Sequence, residues 1–448
     1  MVCMEISTAT REELLALVSQ QQEIIARLQS TVAQLRERVR ELESGSSKGP
    51  LKGMPGLKSE SAQHPKPHRP CKKRPHGFAR LRSRPTERVV HALDECPDCH
   101  THLVGGSIKR RREVIDLPVQ PVQVVEHAYV ERQCPVCQKR VVPKVSLEGT
   151  VVGKARLGVN LVSLIVALRE QGRLPVRTIQ WYLETFHELS LSVGAIVVAA
   201  HSAAQLGKKV VSEVRDRIRA SQVVLADETG WRENGKNGYV WTFSTPNERY
   251  FVRRDRSKAV VDEVLGDEFS GVLVSDFYAS YNHYEGLHQR CWAHLLRDIH
   301  ELKQQHPEDE QLWTWAKAVH GIYAEAKAYR GGYEAERVRA QQHFEGELLK
   351  VCESYLEEEA PQRQLCQRIE RFVSELFVFV AIPDVPSDNN GAERSLRHLV
   401  TSRKISGGTR SGLGTDTKMI LSTLFGTWQL RGINPFLACR QLLSPPQL

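Results

Sequence analysis

Two apolar runs that stop on acids constrain this chain more than any other feature. Residues 222–231 read QVVLADETGW, and residues 271–282 read GVLVSDFYASYN. Short runs of Val and Leu bounded by polar residues suit strands buried on both faces. Between them, GYVWTFST and RYFVRRD read as antiparallel strands joined by a polar turn at Pro246-Asn247, and SKAVVDEVLG reads as a short helix. The order is therefore strand, strand, strand, helix, strand. Asp227 and Glu228 end the first strand and Asp276 ends the fourth. Acids at the ends of buried strands line one edge of a sheet, where oxygen-preferring metals bind.

The rest of the chain divides around this unit. At 448 residues it is too long for one core, and about three domains is the expectation. Residues 1–43 carry a heptad. Val18, Ile25, Val32 and Val39 fall at one position, and Leu14, Leu28, Leu35 and Leu42 at the other, with Gln21 the polar exception. β-Branched residues at a and Leu at d favour a parallel two-stranded coiled coil, hence a homo-oligomer; a single helix packed on its own chain is the alternative. Residues 44–88 are rich in Gly, Ser, Pro and basic residues and read as a disordered basic linker, either a solvated tether or a phosphate-binding arm.

Residues 89–150 contain Cys96-Pro-Asp-Cys99 and Cys134-Pro-Val-Cys137, four of the chain's ten cysteines. Two CxxC turns can complete a tetrahedral site, so a zinc ribbon with structural zinc is expected. The 34 residues between the pairs are a wide spacing, and they alternate as a long hairpin would. His100 and His102 are spare ligands.

Residues 151–215 read as helices with helix-turn-helix spacing, or as a plain helical hairpin. Arg177, Thr178 and Gln180 could face a DNA backbone, while the third helix is too apolar to read bases. Residues 292–380 return to helix, as an insertion within a core spanning 216–430. Residues 431–448 are left as a tail.

The stretch PSDNNGAERSLR, residues 386–397, starts the helix that follows the insertion. Locally it is a capping box, with Asn390 (and Asn389) as cap and Glu393 reaching back. With Asp227 and Asp276, Glu393 makes a third carboxylate, and three acids suffice for two magnesium ions driving phosphoryl transfer. Taken singly, an acid after a strand is usually a turn residue. Arg394 and Arg397, and Arg403, Lys404 and Arg410 in a glycine-rich loop, are candidate DNA contacts. Asp388 and Glu228 are spare acids.

The motifs ADETGW, SDFYASY, RCWAHLLRD and DNNGAERSLR, in this order, resemble the insertion-sequence-66 family of bacterial DDE transposases. The resemblance runs from the heptad to about residue 430. It implies an α/β and α+β multidomain protein with a ribonuclease-H-like core interrupted by a helical insertion. Asp227, Asp276 and Glu393 would be its catalytic triad, holding two Mg2+ or Mn2+ ions. Cys291, Trp292 and His294 would lie near the active site with Asn389 and Asn390. Hydrolysis and strand transfer at the terminal inverted repeats, target DNA as second substrate, accessory proteins from the same element and a cytoplasmic, nucleoid-associated location all follow from it.

Charge agrees with an anionic partner: the net charge is +9 and the pI about 9.0. No run is long and apolar enough to span a membrane, and the first residues lack the order of a secretory signal. The competing class is a non-catalytic zinc-containing regulator that binds DNA; a weaker one is a stand-alone nuclease that cuts without joining.

Overall fold

The computed structural model describes residues 86–112, 115, 122–152 and 156–444, with Gln22, Ala26 and Gln29. The heptad and nearly all of the basic linker lie outside the described residues. The chain divides after Asp116 into two units.

In the first unit, an antiparallel bridge between Glu95 and His102 closes a tight turn over Cys96 to Cys99. The Cys96 N–H donates to Thr101 O and the His100 N–H to Cys96 O, each at 2.9 Å. The second unit opens with the same turn. The Cys134 N–H donates to Lys139 O and the Gln138 N–H to Cys134 O, again at 2.9 Å. His100 (φ 57°) and Gln138 (φ 59°) take the left-handed conformation that turns the chain after each second cysteine. Strands β1 (Arg132–Gln133) and β2 (Arg140–Val141) flank the second turn. The long hairpin expected between the cysteine pairs is not formed in the described residues there, whose valines (Val124 87 % exposed) have no apolar face to cover them.

Helices α1 (Val159–Glu170), α2 (Val176–His187) and α3 (Val193–Arg219) follow. Pro175 starts α2, and Ser192 caps α3 by accepting from the Ala195 N–H at 3.1 Å. These helices do not stand alone. Their core, with Ile165, Ile179, Leu183 and Ala200 at its centre, is completed by Leu421, Leu424, Phe425 and Trp428 of α11 (Gly412–Leu430) and by Cys439 and Leu443 of α12 (Pro435–Leu443). The segment 431–448 is thus no tail through Leu443. Asn434 caps α12 by accepting from the Phe436 and Leu437 N–H groups, and the helix buries its apolar side on α1.

The sheet has strand order β5-β4-β3-β6-β7. β3 (Val223–Glu233), β4 (Lys236–Ser244) and β5 (Arg249–Arg254) are antiparallel; β6 (Val272–Ser275) and β7 (His288–Arg290) run parallel to β3. Helix α4 (Ala259–Leu265) connects β5 to β6. The mixed α/β core is covered on both faces. Val224, Ala226 and Leu273 pack toward α4, whereas Leu225, Val272 and Val274 pack toward α10 (Asn390–Ser406). This is the period-two alternation of strands.

Between β7 and α10 stand α5 (Trp292–Gln305), α6 (Glu310–Ala328), α7 (Glu334–Glu353), α8 (Arg363–Phe372) and the short α9 (Val378–Ala381). They share a core of their own around Leu312, Val319, Leu348 and Ile369. Trp292 is sealed within it, stacked on Tyr323 at 4.7 Å and donating to Leu376 O at 2.5 Å.

Candidate active site

β3 runs on to Glu233, so Asp227 lies within the strand rather than at its end. What ends just before Asp227 is the parallel pairing. β6 pairs with β3 only from Val223↔Val272 to Leu225↔Val274. The same register carried two residues further sets Asp227 level with Asp276, which directly follows β6. Both share strand parity with Leu225 and Val274, the face toward α10.

Glu228 has the opposite parity, which removes it from the set. Its Oε1 accepts from Arg256 Nη2 at 2.7 Å and its Oε2 from the Tyr281 hydroxyl at 2.9 Å. Burial nevertheless raises its carboxyl above the ordinary range. Asp227 is pushed up to about 8. Burial is the main cause, followed by the negative charges of Glu228 and Asp276, and Glu393 adds a smaller push. Its Oδ1 accepts from the Glu228 N–H, and Asp276 Oδ1 from the Tyr278 N–H, each at 2.9 Å.

Glu393 stands in the first turn of α10. The expected capping box is not formed. Neither Asn389 nor Asn390 caps the helix with its side chain; Asp388 Oδ1 accepts the Asn390 N–H at 3.1 Å instead. Asn389 is spent elsewhere. Its side-chain amide donates to Ala226 O at 2.6 Å, and its backbone N–H to Cys291 Sγ at 3.1 Å. The helix start is thereby tied to the residue before Asp227. Packing here is tight: a Cβ on Gly391 would lie 2.7 Å from Leu225 Cδ2. Glu393 Oε1 is 3.8 Å from His294 Nε2 and has no hydrogen-bond partner; His294 Nδ1 and Asn389 Oδ1 are likewise buried and unpartnered. Cys291, wholly buried, has its thiol raised by burial.

The cations separate into two groups. Arg403 donates to Thr229 Oγ1 at 3.1 Å and also bonds Gly230 O, so it fastens α10 to β3 and is no free DNA contact. The glycine-rich loop is likewise docked. Thr409 N–H donates to Arg232 O at 2.9 Å, and a Cβ on Gly408 (φ 106°) would run into that carbonyl. Arg177, Arg394, Arg397, Lys404 and Arg410 are exposed. Gln180 is taken up locally, donating to Leu191 O at 2.7 Å.

Among the described residues no group of three or more His, Cys, Asp or Glu side chains is set as a ready-made metal cage. The donor set still suits an oxygen-preferring divalent cation. Asp227 feels the negative charges of Asp276 and Glu393, and Glu393 Oε1 is buried without a hydrogen-bond partner. At the cysteine turns, Thr101 beside Cys99, and the backbone N–H of Cys137 beside Cys134, hold those two thiols below their ordinary value.

The fold and site define a mixed α/β protein with an acid-lined sheet edge roofed by a long helix. A sequence profile of the transposase IS66 family matches residues 154–417, which takes in α1 to α10, the start of α11 and all three acids. The chain belongs to that family. It is also similar to the uncharacterized protein y4jO of Sinorhizobium fredii (strain NBRC 101917 / NGR234), 28% identical over 179 residues. That match covers 38% of this chain and 51% of the relative, so the chain spans about half of the relative's length. No helix of the described residues is long and apolar enough to cross a membrane.

Proposed function

We propose that the protein is a DDE-type DNA transposase that cleaves the ends of its element and joins them to target DNA. The register that sets Asp227 beside Asp276, with Glu393 brought over them by a helix tied to Ala226, carries this proposal. The strand order, three antiparallel strands followed by two parallel ones, supports a ribonuclease-H-like core with α5 to α9 inserted.

Asp227, Asp276 and Glu393 would hold the divalent cations, Mg2+ or Mn2+. Such ions, when bound, supply Lewis-acid activation of the attacking oxygen and neutralise charge on the leaving 3′ oxygen. The chain's own part is rigidity. Asp227 rides within a paired strand, Asp276 directly follows one, and Glu393 sits on a helix whose first turn is fixed by Asn389 and Gly391. In the first reaction water attacks the phosphorus and the 3′ oxygen leaves as a hydroxyl. In the second that hydroxyl attacks a target phosphodiester, whose own 3′ oxygen leaves. His294, 3.8 Å from Glu393, would contact a phosphate oxygen. The exposed Arg394, Arg397, Lys404 and Arg410 would hold the DNA backbone beside the site, and Arg177 would do so on α2.

Each CPxC turn by itself offers two of the four thiolates that structural zinc takes. Structural zinc, a dimer through the heptad, and accessory proteins of the same element belong to the proposal; zinc content and mass of the purified protein check the first two.

The test is cleavage and strand transfer on labelled DNA carrying the element's end, with wild type and Glu393→Gln, in magnesium or EDTA. Magnesium-dependent cutting lost in Glu393→Gln, with DNA binding kept, is expected. Equal cutting by both proteins would refute the role given to Glu393.

A further inference from the structure

Arg290, the last residue of β7, is wholly buried, and its guanidinium is used to hold another residue's peptide. Nη1 donates to the backbone oxygen of Asp276 at 2.9 Å. Nε donates to Glu375 Oε2 at 2.6 Å and Nη2 to Asn282 Oδ1 at 2.8 Å, while the group lies over the Phe372 ring at 4.6 Å. A buried guanidinium is tolerated only when its donors are paired, and an apolar filler would cost less. One of its donors holds the peptide of Asp276, an acid of the sheet edge, and the other two anchor the guanidinium to Glu375 and Asn282.

A second path joins the same two ends. Ser275 Oγ donates to Asp276 O at 2.9 Å and lies 2.8 Å from His288 Nε2. His288 Nδ1 is 3.2 Å from Glu375 Oε2. The Asp276 carbonyl is thus gripped by two donors, and both lead to Glu375. That residue comes from the 3-10 turn Val373–Glu375, within the helices inserted between β7 and α10. Asp276 lies beyond the last residue of β6, where strand pairing no longer fixes it, so the grip replaces the missing ladder.

We propose that Arg290 and Glu375 are positioning residues for the Asp276 carboxylate, and that through them the inserted helices set how tightly the site holds its divalent cation. The proposal rests on the three-carboxylate site described above. Lysine cannot reproduce the fork that reaches Glu375, Asn282 and Asp276 together.

The experiment titrates Mn2+ alone into the full-length protein without DNA, reading free Mn2+ by electron paramagnetic resonance, with thermal melting of each variant alongside. Arg290→Lys is expected to weaken Mn2+ binding at least tenfold, and Glu375→Gln about threefold. Arg254→Lys, in the exposed pair with Glu263, should leave it unchanged. At saturating Mn2+ the cleavage rate of Glu375→Gln should return to within threefold of wild type. A merely structural role would lower the melting temperature and the number of sites filled, not the affinity of those that remain. If Arg290→Lys does not fold, Glu375→Gln decides. Wild-type affinity in the folded variants overturns the positioning role and leaves the carboxylate site standing. A wild type that takes up no Mn2+ refutes both.

Discussion

The side-chain amide of Asn389 donates to the carbonyl oxygen of Ala226 at 2.6 Å, across 163 residues of sequence. That one bond joins the start of α10 to the strand position just before Asp227. It fixes the distance between two acids that lie on different elements, and it leaves Asn389 Oδ1 buried without a partner.

Asn389→Ala should therefore act on the site more than on the fold. Losing the bond leaves the Ala226 carbonyl unpaired, which costs about 1–3 kcal/mol of stability. Single-turnover cleavage should fall at least tenfold, with DNA affinity within twofold of wild type by gel shift. Full cleavage activity would mean that α10 needs no tie to β3 to place Glu393.

Part of this was legible in the sequence and part was not. The strands showed themselves because Val and Leu runs ending in acids have few other uses, and the helices of 292–381 because their apolar spacing is regular. The choice of Asp227 over Glu228 was also written there, since alternate residues face opposite sides of a strand. The partners of Asn389 and Arg403 were not. Both look like surface groups from their neighbours in sequence, and both bond to β3 from more than 160 residues away. Residues 431–448 read as a tail for a similar reason. A nine-residue helix announces little until the α1 surface it covers is known.

A pH effect follows from His398, which sits in α10 with its ring edge-on to Phe251 at 5.1 Å. Burial chiefly, with the charges of Lys418 and Arg249 against that of Glu170, takes it from about 6.5 down to about 4. A depressed histidine means that the unfolded chain binds more protons between those values. Stability is then fullest above pH 6.5 and declines as pH falls toward 4, by up to about 3 kcal/mol from this group. Melting temperature against pH should be flatter across that window in His398→Gln than in wild type. Parallel curves would assign the acid sensitivity to other groups.

Glu170 of α1 and Lys418 of α11 form a buried ion pair at 2.8 Å, with Ser422 also donating to Glu170 at 3.1 Å. Lys418→Met leaves the buried Glu170 carboxylate with only the more distant Arg169, at 3.7 Å, and should cost up to about 3–5 kcal/mol. Adding Glu170→Gln removes the stranded charge and should recover most of that loss in a chemical-denaturation cycle. If the double variant is no better than the single, the lysine contributes by packing alone.

The shared core of α1, α2 and α3 with α11 and α12 has a consequence for synthesis. While the ribosome is still making the sheet and the inserted helices, Ile165, Leu183 and Ala200 have only one another's helices to close against. The first bundle of the chain is finished only when its last helix leaves the exit tunnel. A premature stop after the acids would give a nascent product with all three in place and exposed apolar helices at its front, a substrate for chaperones and proteases before it could reach DNA.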